Sequence, residues 1–271
     1  MSGSGKWAVV LGASSGVGAA ISAALAQEAG LNIFGVHRGN WPEGAADVHA
    51  AVVAAGRQCH FWQADASTAE AAAEGAVELH EVCGAGGVQF FVHSLASASV
   101  GRLVIGPEPL HPRQLTRTFD RMAHSFVYWA QALHGGGLLA PSARLLGLSN
   151  LMTDEIVRGA GAIAATKAAL EMYVRHLALE LGPLGHRVNL LKFSFIATAA
   201  ARRTFPGDAL ERLSDVMRRS TPAGRLCQPD EVARVVAFLA SPAAEWFNGA
   251  TLDFTGAESQ SFFDSLVFPR S

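Results

Sequence analysis

The stretch Trp7-Ala8-Val9-Val10-Leu11-Gly12-Ala13-Ser14-Ser15-Gly16-Val17-Gly18 decides the fold. Trp7–Leu11 is an unbroken apolar run, the make-up of a strand buried on both faces. Val17, Ile21 and Leu25 then recur at every fourth residue, the spacing of one helix face. Between strand and helix, Gly12, Gly16 and Gly18 permit a tight turn, close backbone approach to a pyrophosphate, and close helix–strand packing. The helix start adds free N–H groups that favour negative charge. A glycine triplet alone is a weak signal, and a plain glycine-rich turn is the alternative; flanked in this order by strand and helix, it predicts a dinucleotide site at Gly12, Ser14, Ser15, Gly16, Val17 and Gly18. The same stretch is apolar enough to suggest a membrane segment or signal peptide. Three glycines and two serines interrupt it, and strand, turn and helix account for it better.

Outward from this start the same alternation continues. Further strands are expected at Leu31–Val36, Cys59–Gln63, Val88–His93, Arg144–Leu148, Arg187–Lys192 and Ala250–Phe254. Helical spacing joins Leu115, Phe119, Met122, Phe126, Trp129 and Leu133, and also Leu170, Val174, Leu177 and Leu181. Strand–helix alternation means an α/β protein: a single doubly wound Rossmann domain over residues 1–271, with a seven-stranded parallel sheet and helices on both faces. Two segments break the rhythm. Ser97–Arg113, rich in Gly and Pro, reads as a long loop, and residues 199–225 read as a substrate lid; residues 257–271 form a C-terminal tail. Both irregular segments follow strand ends, where an open α/β sheet binds ligands.

Half of the 271 residues are apolar and 16% are charged, enough for a large core. A net charge of −2 provides no basic field for nucleic acid or an anionic membrane. The cysteines Cys59, Cys83 and Cys227 are far apart, and with the ten histidines they make no metal-ligand spacing. No metal is expected, and a cytoplasmic setting fits best.

At the end of the second strand, an acidic residue would hydrogen-bond the adenosine ribose and disfavour a 2′-phosphate. This chain has His37-Arg38 there. An arginine pairs with phosphate through two parallel hydrogen bonds, so NADP(H) is favoured over NAD(H). A solvated loop arginine is the alternative.

The chain resembles the short-chain dehydrogenase/reductase family over nearly its full length. The resemblance is carried by the glycine motif, Asp65-Ala66, Ala168–Asn189, and the pattern Thr221-Pro222-Ala223-Gly224-Arg225 with Asp230-Glu231-Val232 and Gly249. It implies that Asp65 and Ala66 border the adenine. It also implies that the helices holding Phe126 and Leu170 make subunit contacts in a homotetramer or homodimer. Val92-His93-Ser94-Leu95-Ala96 stands where most members have Asn-Asn-Ala-Gly, and with Ser125-Phe126-Val127 it is similar to the enoyl-acyl-carrier-protein reductase branch. His93, Ser94 and Leu95 are therefore expected beside the cofactor.

The departures concern the chemistry. The family uses a tyrosine as proton donor, a lysine that lowers its pKa and holds the nicotinamide ribose, and a serine that steadies the substrate oxygen. Ser149 and Lys167 match the serine and lysine. The tyrosine position holds Ile163, and the enoyl-reductase spacing falls on Ala160. The additional enoyl-reductase tyrosine is Asn150, and the relay asparagine is Met122. The chain's two tyrosines, Tyr128 and Tyr173, fit none of these registers. In Phe193-Ser194-Phe195-Ile196-Ala197-Thr198 the family's Pro-Gly turn is lost, leaving Ile196 and Thr198 as cofactor contacts. His93 is a strand-end histidine or an acid; Asp154 and Glu155 are surface carboxylates or the acids nearest in sequence to the missing tyrosine. The aromatic set Phe193, Phe195, Phe205, Phe262, Phe263 and Phe268 is core, or else lines an apolar pocket. The expected function is reduction of an apolar, possibly carrier-bound, α,β-unsaturated substrate by NADP(H). The alternative is a catalytically inactive NADP(H)-binding protein, a sensor or structural subunit.

Overall fold

The computed structural model describes residues 5–106, 108–198, 201–202, 207–258, 260–261 and 267. Seven parallel strands form one sheet: β1 Trp7–Leu11, β2 Asn32–His37, β3 Cys59–Gln63, β4 Val88–His93, β5 Leu139–Asn150, β6 Arg187–Phe193 and β7 Thr251–Phe254. Their order is β3-β2-β1-β4-β5-β6-β7, so the chain reverses its direction of winding between β1 and β4. Such a switch opens a crevice at the carboxyl ends of the strands.

Alternation along β1 shows how one strand serves two cores. Trp7, Val9 and Leu11 join one buried cluster, while Ala8 and Val10 join the other. The first cluster is completed by α3 Ala69–Cys83, α5 Ser125–Gly135 and α6 Gly161–Leu181, through Leu79, Phe126, Trp129, Leu133, Leu170 and Val174. The second is completed by α1 Gly16–Gln27, α2 Pro42–Ala54 and the helix Pro229–Ala240, through Ile21, Leu25, Val48, Val52, Val232 and Val236. Phe126 and Leu170 thus face the core, and any subunit contact made by their helices uses other faces. Among the described residues no helix is long and apolar enough to cross a membrane.

Two features differ from the sequence expectation. Strand β5 begins at Leu139 rather than Arg144. The strand is irregular at Pro141 and Ser142: Ser142 has φ 58°, and the β4–β5 register jumps from Val88↔Leu139 to Phe90↔Arg144. Gln89 Nε2 donates to the Ser142 carbonyl at 3.1 Å and bridges the irregularity. The helix after the long loop is also not uniform. Helix α4 Pro112–Phe119 passes into a π-helical turn at Asp120–His124 before α5, and that turn buries Met122 and Ala123. In the segment expected as a lid, the described part carries α7 Ala209–Ser220. Residues 199–200 and 203–206, and most of the tail beyond 258, lie outside the described residues, and with them Phe205, Phe262, Phe263 and Phe268.

Trp129 connects this packing to the site. A Cβ on Gly75 of α3 would lie 2.4 Å from the Trp129 ring, so glycine lets the two helices close around it. The indole then donates to the Ala66 carbonyl at 3.0 Å and anchors the exit of β3. Trp129→Phe leaves a buried acceptor unpaired and is expected to cost about 1–3 kcal/mol. Urea denaturation measures this; an unchanged midpoint would show that the anchor contributes nothing.

Candidate active site

The glycine turn is built from contacts that leave no room for a side chain. Gly12 adopts φ +84° and Gly16 φ +55°. A Cβ on Gly18 would sit 2.2 Å from the Gly12 carbonyl oxygen, and one on Gly12 would sit 2.5 Å from that of Ser94. One on Gly16 would lie 3.3 Å from the Thr198 methyl group. The exits of β1, β4 and β6 therefore converge on the start of α1. Leu95 packs against Gly12, and Val17 packs against the second core cluster. Ser15 precedes α1 in extended conformation, and its side chain makes no capping hydrogen bond. The first N–H groups of α1 are thus left for a ligand. A cleft of about 520 Å³ runs from Ser14, Ser15 and Gly16 to Asn40, Trp41 and Glu43. This cradle fits a dinucleotide pyrophosphate.

The adenosine end lies beside the exits of β2 and β3. His37 Nδ1 accepts from the Gly39 N–H at 3.2 Å and shapes the turn, and burial lowers its pKa. Arg38 is exposed on that turn. Asp65 uses one carboxylate oxygen to accept from the Ser67 N–H and hydroxyl, at 3.3 and 2.7 Å. Its other oxygen lies 3.8 Å from Arg121. Ala66 is buried against the first core cluster.

At the opposite end β4, β5 and α6 bring His93, Ser149 and Lys167 to one side of the sheet's carboxyl edge. Lys167 is 4% exposed, and Nζ donates to the Leu148 carbonyl at 2.6 Å. Burial pushes its pKa down to about 8. Ser149 Oγ is sealed from solvent and has no hydrogen-bond partner among the described residues. Burial, and after it the Lys167 charge, lowers His93 to about 3, so the imidazole is neutral. Its Nε2 meets Ser125 Oγ at 2.8 Å. A neutral histidine held this way is a poor acid at physiological pH. Asn150 turns its side chain to the Met152 N–H, Ala160 is buried at the head of α6, and Ile163 is partly buried. The two tyrosines belong to a different group, around His124: Tyr173 Oη lies 3.1 Å from His124 Nδ1, and the Tyr128 ring is 6.2 Å away.

After β6, the Thr198 N–H donates to the Ile196 carbonyl at 2.8 Å, a tight turn that replaces the lost Pro-Gly. Phe193 packs against the second core cluster. Asp154 is not a free acid: Lys192 holds it at 2.5 Å and Asp253 at 3.4 Å. Glu155 has a raised pKa, from burial and then from Asp154.

Sequence reasoning missed Arg121 and Glu258. Glu258, just beyond β7, is 1% exposed, and burial raises its pKa to about 7. Glu155 adds to the rise, while the Phe195 N–H and Ser194 hydroxyl oppose it. Nothing in the local sequence marks either residue, because their surroundings come from distant elements.

A carboxyl whose pKa is raised on folding stabilises the fold while protonated, and that stability is lost as pH climbs from the unfolded value toward about 7. Glu258→Gln keeps the neutral shape. The variant is therefore expected to match the parent near pH 5 and to melt at a higher temperature at pH 8. Thermal melts across this range check it; parallel profiles would mean that Glu258 does not carry the charge cost.

The family model described as enoyl-(acyl carrier protein) reductase matches residues 12–256. An uncharacterized oxidoreductase of Methylorubrum extorquens is 32% identical over 93% of this chain and 97% of its own length. The 1-cyclohexenylcarbonyl-CoA reductase of Streptomyces collinus is 27% identical over 93% of this chain and 86% of its own. Among solved structures, a mutant of a Serratia marcescens short-chain dehydrogenase/reductase superposes with a TM-score of 0.82 at 26% identity, covering 94% of this chain and 98% of that one. Motif, strand order and relatives agree: this chain belongs to the short-chain dehydrogenase/reductase family of nicotinamide-dependent oxidoreductases.

Proposed function

We propose that this protein is an NADP(H)-dependent reductase of an apolar α,β-unsaturated thioester. The observation that carries the reading is the surviving pair at the end of β5: Lys167 bonded beneath Ser149, with no tyrosine in their group. The cofactor supplies hydride. Lys167 and Thr198 are suited to hold its nicotinamide half, the α1 N-terminus its pyrophosphate, and Arg38 a 2′-phosphate.

Direct carbonyl reduction places negative charge on the oxygen that must at once receive a proton. Loss of the acid forfeits about 10²–10⁴-fold there. Reduction of an enoyl thioester instead delivers hydride to the β-carbon and leaves the charge on an enolate. A buried serine hydroxyl with a free hydrogen is suited to stabilise that oxygen, and solvent can later protonate the α-carbon. Positioning of the acceptor carbon supplies much of the remaining rate.

The entrance supports an apolar substrate. Gly101 N–H donates to the Gly159 carbonyl at 3.0 Å, tying the loop after β4 to the head of α6. Leu103 packs on Gly161, where a Cβ would lie 3.0 Å away. Val100, Leu103, Val104, Ile105 and Ile156 are all exposed, and Val100 and Leu103 lie against Gly159 and Gly161 at the head of α6. The Streptomyces relative, named for reducing an unsaturated acyl-CoA, agrees with this reading. Exposed Met172 and Leu179 on α6 support a subunit contact, as in a homodimer or homotetramer.

A second reading is a catalytically inactive NADP(H)-binding protein. It is favoured by the coincidence of Ile163, Asn150, Met122 and the lost Pro-Gly turn. Stopped-flow absorbance of NADPH with short, long, branched and cyclic enoyl thioesters separates the two. The reductase reading expects a burst that Lys167→Ala lowers by more than its loss of NADPH affinity explains. No oxidation above the buffer rate, with NADPH bound, would favour the inactive protein.

A further inference from the structure

At the adenosine end the Ala64 N–H donates to the His37 carbonyl at 2.9 Å, which sets Asp65 beside the turn that carries Arg38, and Asp65 in turn lies beside Arg121. Arg121 lies on the π-helical turn with its side chain 18% exposed. Its Nη1 donates to Ser97 Oγ at 3.3 Å, and its Nη2 is 3.8 Å from Asp65. Its Nε–H is sealed from solvent and has no partner among the described residues. The second distance is too long for a hydrogen bond, so Asp65 neutralises the guanidinium only loosely. The other Asp65 oxygen is already committed to Ser67. Burial disfavours the charge on Arg121, and the nearby charges of Arg117 and then Arg38 disfavour it further.

Such a cluster is poorly satisfied as it stands. It has surplus positive charge, a buried donor without an acceptor, and a member partly removed from water. An anion offsets the surplus charge, and the rigid fork of arginine matches the oxygens of a phosphate. Arg38 reaches the region from the exposed turn after β2, where a long side chain loses rotamer freedom on binding. Arg121 reaches it from the helical layer, already held by Ser97, and loses less.

We infer that Arg121 is a second specificity-determining residue at this end, acting with Arg38 on a phosphate monoester carried by the adenosine ribose. The inference rests on the NADP(H) reading and deepens it. Arg38 alone does not set the preference; the partly buried arginine on the π-helical turn contributes a comparable share, and Ser97 orients it.

The test uses the full chain without nicotinamide chemistry. Calorimetric titration compares adenosine 2′,5′-bisphosphate with adenosine 5′-monophosphate, which differ only in the 2′-phosphate. The unmodified protein is expected to bind the bisphosphate more tightly. Arg121→Gln should weaken bisphosphate binding by about tenfold or more, the scale of one charge-assisted hydrogen bond, with a change under about twofold for the monophosphate. Ser97→Ala should shift binding in the same direction by less, which keeps the test open if Arg121→Gln folds poorly. If Arg121→Gln weakens both ligands equally, Arg121 serves Asp65 or the base, and the inference is overturned. If the unmodified protein prefers the bisphosphate and only Arg38→Gln reduces that preference, the NADP(H) reading stands and this inference falls. If the unmodified protein shows no preference, both fall.

Discussion

The missing side chain of Gly18 is the constraint on which the rest of the site depends. With a Cβ position only 2.2 Å from the Gly12 carbonyl oxygen, any other residue would drive α1 away from β1. The same contact fixes where the first N–H groups of α1 point, and a matching approach of Gly12 to Ser94 ties them to the exit of β4. Cofactor cradle and sheet switch point are thus one packed unit. Backbone-to-backbone contacts of this kind do not relax as a flexible side chain would. This frame is built without the side chain at Ile163, so it does not depend on which residue stands there.

At the reacting end, burial sets the electrostatics. Lys167 is held neutral more readily than a solvated lysine, and His93 is held neutral outright. Among the described residues the Ser149 hydroxyl has no competing partner. In the proposed function the Ser149 hydroxyl and the Lys167 ammonium are the donors suited to a developing enolate. The proposed substrate class draws on this end and on the apolar rim of Val100, Leu103, Val104, Ile105 and Ile156, which come from separate parts of the chain.

Much of the fold was legible because the strands are continuous apolar runs, and six of the seven were placed to within a residue or so. The seventh, β5, extends back across Pro141 and Ser142 to Leu139, where the apolar run is interrupted; a side-chain bridge from Gln89 spans the irregularity, and local sequence does not reveal it. The glycine turn was legible from its place between strand and helix, whereas Ser149 and Lys167 were legible only through the family resemblance. Arg121 was not. It lies on a π-helical turn that interrupts the regular pattern of four and three, and its partner Asp65 comes from a distant strand exit. Glu258 was hidden for a related reason: it looks like a tail carboxylate, and only the fold places Ser194 and Phe195 against it.

The central claim is that hydride reaches a carbon of the substrate's double bond and not its carbonyl carbon. Incubation with deuteride-labelled NADPH and a cyclic or branched enoyl thioester, followed by mass spectrometry of the product, tests it directly. The account predicts one deuterium, at the β-carbon of a saturated thioester, with the α-hydrogen drawn from solvent. Deuterium on the carbonyl carbon, or unlabelled substrate returned in full while the cofactor is bound, would contradict it.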